Sequence, residues 1–121
     1  MNMFPQRCVR DARFKFVLNL HPDRKWTTHF TKVMDIPGSH GDVYATWLEK
    51  AQTDSAARRL VELIEVHPAE ELYDTQADPY ELNNLASSPA QSARVAAMRG
   101  ALLKWMREQN DPGLDELKEP K

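Results

Sequence analysis

Alternating apolar residues mark the first structured segment of the chain, residues 6–20. Its second half places large apolar side chains at every other position, at Phe14, Phe16, Leu18 and Leu20. Because successive side chains of a strand point to opposite faces, this spacing predicts a strand with one apolar face. A shorter and more polar stretch, residues 6–10, precedes it after a three-residue connection. The pattern therefore predicts an antiparallel β-hairpin.

Two helices are predicted over residues 39–66, after a loop at residues 21–38 that has no period and is bounded by prolines. The helical spacing gives two apolar stripes. The first contains Val43, Tyr44, Trp47, Leu48 and Ala51, and the second contains Ala57, Leu60, Val61 and Ile64. Thr-Asp-Ser at residues 53–55 separates the stripes and offers an N-cap for the second helix.

The last third of the chain predicts a strand, a turn and a long helix. Residues 70–74 are short enough for a strand, and residues 75–88, with the Pro89 that follows, contain Asp-Pro and Ser-Pro pairs typical of turns and helix starts. Helical spacing of large apolar residues predicts a helix over residues 89–110, and residues 111–121 are expected to form an acidic tail. The order of elements predicts an α+β fold in a single domain, in which helices cover a small antiparallel β-sheet.

Positive charge is concentrated at the N-terminal end. Residues 1–32 contain seven lysines and arginines against two aspartates, a balance of +5, although the formal net charge of the chain is −2. Such a cluster can attract an anionic ligand, or it can form the solvated faces and edge of the strand pair. No nucleic-acid partner is expected, because there is neither a basic helix nor an aromatic platform with interleaved cations.

Residue patterns that carry known chemistry are absent from the sequence. The four histidines lack the i, i+4 spacing of a helical metal site, and Cys8 is the single cysteine. The acids of residues 74–81 do not follow the order of an EF-hand calcium loop. There is no Gly-flanked nucleophile, no phosphate-binding glycine loop and no apolar run long enough to span a bilayer. No membrane partner is therefore expected.

Three segments of the chain resemble parts of sulfatases. EELYDTQADPYELNNLA at residues 70–86, with the helix after it, resembles the C-terminal end of that family, where an E-L-Y-D strand, a D-P-x-E-x-x-N-L turn and a long helix close the chain. FPQRCVRDARFKFVLNLHPD at residues 4–23 is similar to the hairpin of the same subdomain. Residues 42–74 resemble the branch that includes heparan N-sulfatase (sulfamidase).

The resemblance implies that the chain is the C-terminal subdomain of a longer hydrolase of sulfate esters or N-sulfated sugars. It implies a sheet of about four strands, which packs with the terminal helix against a catalytic domain. Residues 70–86 would then be structural, turning the chain from the last strand into the helix. The parent enzyme would be exported if it begins with a signal peptide, and the localisation stays open.

The resemblance also implies a formylglycine and calcium in the catalytic domain of the parent. The family makes formylglycine from Cys or Ser in a C/S-x-P/A-x-R motif. After Cys8, Arg10 and Ala12 stand where that motif has its small residue and its arginine, so Cys8 is not that nucleophile. No catalytic or metal residue is carried over, and the chain alone is expected to be inactive.

Contacts with an anionic sulfated sugar are predicted for the loop after the hairpin. Its donors are His21, Arg24, Lys25, His29 and Lys32. The same loop can instead be solvated, or can dock on the catalytic domain. Removal of that domain is expected to expose apolar surface and to promote self-association. The alternative function is a free-standing interaction or carbohydrate-binding module that keeps this fold without enzyme activity.

Overall fold

The computed structural model describes residues 5–26, 28, 31 and 40–118. Within them the elements are β1 (Gln6–Arg10), β2 (Phe14–Asn19), α1 (His40–Ala51), α2 (Ser55–Glu65), β3 (Glu70–Asp74), a 3-10 turn (Pro89–Gln91), α3 (Ser92–Glu108) and α4 (Gly113–Lys118). The contacts divide the chain into two compact units: a sheet unit, Pro5–Pro22 with Pro68–Lys121, and a helical unit that includes Asp23–His67. In sequence, the helical unit is thus inserted between β2 and β3.

The strands form an antiparallel sheet with the order β1-β2-β3 in the described residues. β2 is the central strand, and its Val17 lies opposite Cys8 of β1 and Glu71 of β3. Asp11 closes the β1–β2 turn, because its Oδ1 accepts hydrogen bonds from two following backbone N–H groups at 2.8 and 2.7 Å. The predicted β-hairpin is therefore present, and β3 extends it.

One face of the sheet carries the core of the sheet unit. The residues predicted for the inner face of β2 are all buried: Phe14, Phe16, Leu18 and Leu20. They form one cluster with residues of β3 and α3, which are Leu72, Val95, Leu102 and Met106. The predicted α+β class, the antiparallel sheet and the long C-terminal helix are confirmed.

Two details differ from the sequence expectation. The sheet has three strands in the described part of the chain, where about four were expected. Residues 111–121 are not only a tail, because α4 forms there. Contacts with the hairpin hold this helix: Arg7 binds Asp111 just before it, and Gly113 lies so close to Leu20 that an added Cβ would be 2.8 Å from Leu20 Cδ1. These partners are about a hundred positions away in sequence, which is why the local pattern missed the helix.

The opposite face of β2 is buried as well, and a polar network lies on it. Asn19 Nδ2 donates to Glu71 Oε2 at 2.6 Å, and Asn19 Oδ1 accepts from Gln6 Nε2 at 2.9 Å. The Tyr73 hydroxyl donates to Glu71 Oε1. Since a buried carboxylate is costly without hydrogen-bond donors, this network compensates for the burial of Glu71. The face is therefore not the solvated surface that the alternation suggested.

α1 and α2 form a helical hairpin in the other unit. As the Thr-Asp-Ser pattern predicted, Asp54 caps α2, and its Oδ1 accepts from the backbone N–H groups of Ala56 and Ala57 at 2.9 and 3.1 Å. The Tyr44 hydroxyl donates to Glu65 Oε1 at 2.6 Å and so joins the two helices. The buried core of the hairpin, in the described residues, is Tyr44, Ala51 and Val61.

Replacing Leu72 with alanine tests the assignment of the sheet core. Leu72 is 0% exposed, so the substitution should lower the free energy of unfolding by about 2–5 kcal/mol through the cavity it leaves. Leu82→Ala is the matched control: Leu82 is 41% exposed, and its change should stay within about 0.5 kcal/mol. Urea denaturation followed by circular dichroism measures both. Equal losses in the two variants would contradict this core.

Candidate functional site

The predicted sugar-contact loop is described only in part. His29 and Lys32 lie outside the described residues. His21 belongs to the sheet unit, where its Nε2 lies 2.6 Å from Glu116 Oε2 on α4. This imidazole therefore already faces a carboxylate of the same unit.

Arg24 and Lys25 belong to the helical unit. Lys25 Nζ lies 3.7 Å from Glu65 Oε2, which is a loose ion pair at an exposed position. Arg24 is exposed. Of the described members of the predicted set, Arg24 is thus the one best placed to meet an anion from solution, and the sugar contact stays a prediction.

Two arginines of the basic N-terminal segment, Arg7 and Arg13, bind carboxylates of the sheet unit itself. Arg7 donates to Asp111 from Nε at 2.5 Å and from Nη2 at 2.8 Å. Arg13 donates to Asp74 Oδ2 from Nε at 3.1 Å and from Nη2 at 2.7 Å. These paired, charge-assisted contacts offset part of the N-terminal excess of positive charge inside the protein. They leave Arg7 and Arg13 engaged rather than open to an anionic ligand.

The two carboxyl groups in these pairs have strongly lowered pKa values. The hydrogen bonds from Arg13 lower the pKa of Asp74 from its usual 3.8 to about 2, with help from a backbone N–H of the following turn. The hydrogen bonds from Arg7, with the Gly113 N–H, lower the pKa of Asp111 to about 2. Both groups are therefore ionised at neutral pH and serve as fixed anchors for the arginines.

Residues 74–86 form a turn that covers the outer edge of β3. Asn84 Oδ1 accepts from the Leu72 N–H at 2.9 Å, and Asn84 Nδ2 donates to the Glu70 carbonyl at 3.2 Å. The Leu85 N–H donates to the Leu72 carbonyl at 2.8 Å. Edge strands with open backbone groups are liable to pair with other chains. The Asn-Asn-Leu part of the segment therefore protects the sheet edge.

The acidic residues of the same segment hold its own backbone. Asp74 Oδ1 accepts from two following N–H groups at 3.2 Å, and Asp78 accepts from two others at 3.0 and 2.9 Å. Glu81 adopts a φ of 54°, an unfavourable region for a residue with a Cβ, and its Oε1 lies 2.8 Å from Lys15 Nζ. The geometry gives these acids structural roles.

The described residues do not fit the calcium site that the resemblance implies for the parent enzyme. Calcium needs several converging oxygen ligands. In the part of the chain that the structure describes, no group of three or more His, Cys, Asp or Glu side chains is arranged to hold a metal ion. No helix in that part is long and apolar enough to cross a membrane.

A groove of about 500 Å³ lies between α1 and α2. Its lining is mainly apolar, from Trp47, Ala56, Ala57, Leu60 and Val61, with Thr46, Lys50 and Asp54 as the polar members. Trp47 is 43% exposed and Leu60 is 49% exposed. The sequence placed both residues on the apolar stripes of the two helices. Each helix, however, covers only part of the stripe on the other, and the rest of the stripe stays exposed. The width of the stripes was the signal for this exposed apolar surface, and sequence reasoning missed it.

Comparison with known proteins relates the chain to sulfatases. No protein-family model matches it. The chain is similar to two proteins of Formosa agariphila that are both named ulvan-active sulfatase, with 30% identity over 104 residues and 28% identity over 109 residues. The matches cover 83% and 90% of this chain, but 16% and 18% of the relatives. The chain thus spans less than a fifth of the length of these relatives. The similarity supports a sulfatase relationship and does not distinguish a branch.

Replacing Asn84 with alanine should open the outer edge of β3. The variant loses an acceptor for the Leu72 N–H, so we expect the unfolding free energy to fall by about 1–2 kcal/mol. Hydrogen exchange of the Leu72 amide should accelerate, while the amides between β1 and β2 keep their protection. Asn84→Asp keeps the acceptor oxygen and should cost less. Unchanged exchange at Leu72 in the alanine variant would contradict the edge-protecting role.

Acid should weaken the sheet unit through Asp74 and Asp111. Because their folded pKa values lie near 2, below the usual 3.8, both carboxylates stabilise the fold above about pH 4, and this contribution is lost as the pH falls toward 2. Urea midpoints measured across this range should fall less steeply for Asp111→Asn than for the wild type. Glu108→Gln, in the exposed 4.0 Å pair with Lys104, is the control and should keep the wild-type slope.

Proposed function

We propose that this chain is the non-catalytic C-terminal portion of a sulfatase-like hydrolase and packs on its catalytic domain. The observation that carries the proposal is the unequal coverage of the matches. They extend over 83–90% of this chain but over only 16–18% of the sulfatases. The shared part is therefore a small segment of a much larger protein. Assignment to the branch of heparan N-sulfatase is a finer proposal, and it rests on the resemblance of residues 42–74 alone.

The contacts of the sheet unit support a structural role for it. Arg7 and Arg13 are engaged by carboxylates, and Asn84 closes the edge of β3. Charged groups that are anchored in this way stabilise an arrangement and are poorly placed to exchange protons with a substrate. The formylglycine and the calcium of the proposed enzyme would therefore belong to the catalytic domain.

The proposed substrate is a sulfate ester or an N-sulfated sugar. In this chain, the exposed guanidinium of Arg24 suits a sulfate group at the rim of the catalytic pocket, because a guanidinium donates hydrogen bonds in a planar fork. His21 and Lys25 face carboxylates in the described structure. A sulfate group would therefore have to compete with those carboxylates to bind either side chain. His29 and Lys32 complete the proposed set.

A free-standing interaction or carbohydrate-binding module is the second candidate. The groove between α1 and α2 favours an interaction module, because exposed tryptophan and aliphatic side chains are typical of recognition surfaces. The two candidates differ in whether a catalytic domain belongs to the same polypeptide.

The test is to determine the reading frame upstream of the Met1 codon and to express its complete product. We expect an open frame with a C/S-x-P/A-x-R motif, and a product that hydrolyses a chromogenic sulfate ester in the presence of calcium. The 121-residue chain alone should be inactive in the same assay. Alanine in place of the motif Cys or Ser is the matched control, and it should abolish turnover without unfolding the product.

Two other results would contradict the proposed function. A stop codon directly before Met1, in frame, would contradict the proposal and favour the free-standing module. Turnover by the 121-residue chain alone would contradict both candidates.

A further inference from the structure

We infer that the groove between α1 and α2 binds an apolar segment of the catalytic domain within the same polypeptide. This inference rests on the proposed function and names the surface through which the helical unit would take part in it. Four observations carry it: the exposure of the groove, the engagement of its polar side chains, the small core of the hairpin and the extent of the matches.

The exposed residues of the groove have the character of an interface centre. Trp47 and Leu60 are about half exposed, and the small side chains of Ala56 and Ala57 lie beside them in the lining. Interface centres are apolar and rich in aromatic residues, with polar groups at the rim. Truncation of such aromatic anchors is commonly the costliest change at an interface. The groove is thus suited to an apolar protein segment.

The polar side chains of the groove argue against a sugar as its occupant. The Thr46 hydroxyl donates to the Val43 carbonyl at 2.6 Å, and the Asp54 carboxylate accepts from the first N–H groups of α2. A sugar site needs several polar groups that converge on the ligand. With Thr46 and Asp54 engaged within the hairpin, Lys50 is the remaining polar member of the lining. An apolar protein segment does not need converging polar groups in the groove.

The hairpin itself has little buried surface to stabilise it. α1 has 12 residues and α2 has 11, and helices of this length are marginal without tertiary packing. In the described residues, the buried core of this unit is limited to Tyr44, Ala51 and Val61. Covering Trp47 and Leu60 would remove further apolar area from water and would stabilise the hairpin. The groove therefore gains from a permanent occupant.

The extent of the matches indicates where that occupant lies. A match over 83% of 121 residues leaves at most about 21 residues uncovered, so it includes residues 40–65 wherever it begins. The helical hairpin is therefore part of what the chain shares with the longer sulfatases. More than four fifths of each sulfatase lies outside the match, because the match covers 16% and 18% of them. The remainder of such a polypeptide is a partner that is always present.

Thiol labelling of the groove tests the inference. In a Cys8→Ser background, Leu60→Cys places a thiol in the groove. Val66→Cys places one outside its lining, and the native side chains at both positions are 49% exposed. Each variant is made in the 121-residue chain and in the complete product of the reading frame. The labelling rate with a maleimide is measured by mass spectrometry of the peptide that carries the new cysteine.

We expect the thiol at position 60 to react about tenfold or more slowly in the complete product than in the 121-residue chain, because a covered site reacts only when it opens. The thiol at position 66 should react at similar rates in both. Equal rates at position 60 in a complete product that hydrolyses sulfate esters would overturn the groove proposal and leave the proposed function intact.

Two further results would also overturn the inference. Labelling at position 60 that slows as the concentration of the 121-residue chain rises would show that a second copy occupies the groove. A reading frame that starts at Met1 would remove the occupant, and the proposed function would then fail together with the inference. Circular dichroism of both cysteine variants shows that the hairpin is folded.

Discussion

The burial of the apolar face of β2 against β3 and α3 is the contact on which the rest of the structure depends. Phe16 of β2 lies opposite Leu72 of β3, both are fully buried, and Met106 of α3 joins the same cluster. The 45 residues of Asp23–His67 lie between β2 and β3 in sequence. Formation of this contact therefore carries the entropy cost of closing a long loop. The ion pair between Arg7 and Asp111 connects still more distant parts of the chain. The sheet unit is therefore stabilised chiefly by contacts between its two sequence segments.

The two units use their side chains differently. In the sheet unit, opposite charges face each other: Arg99 donates to Glu70 from Nε at 2.5 Å and from Nη2 at 2.7 Å, just as Arg7 and Arg13 bind their partners. Such bidentate pairs add geometric specificity as well as energy. The helical unit instead leaves Trp47 and Leu60 exposed beside a groove. Charge thus stabilises the fold of the sheet unit, while the helical unit carries an apolar groove for which we infer a partner.

The proposed role, a supporting part of a larger enzyme, is consistent with these properties. Residues 74–86, which are rich in acidic and amide side chains, secure a turn and a sheet edge rather than a reacting group. Polar segments of this kind are easily mistaken for active sites, because catalysis and turn formation draw on the same residue types. Hydrogen-bond partners distinguish the two roles. A carboxylate that already accepts hydrogen bonds from the backbone or from an arginine stabilises the fold and is poorly placed to react with a substrate. The relationship to sulfatases fits this division of labour.

The sequence by itself determined the local elements of this protein. Alternation at Phe14–Leu20 specified β2, and the Asp54 cap specified the start of α2, because both signals act between neighbouring residues. Tertiary structure alone decided α4, the buried second face of β2 and the exposure of Trp47. Each of these depends on a partner distant in sequence, or on how much of an apolar stripe the facing helix can cover. Periodicity states which residues share a face, and only packing decides what that face meets.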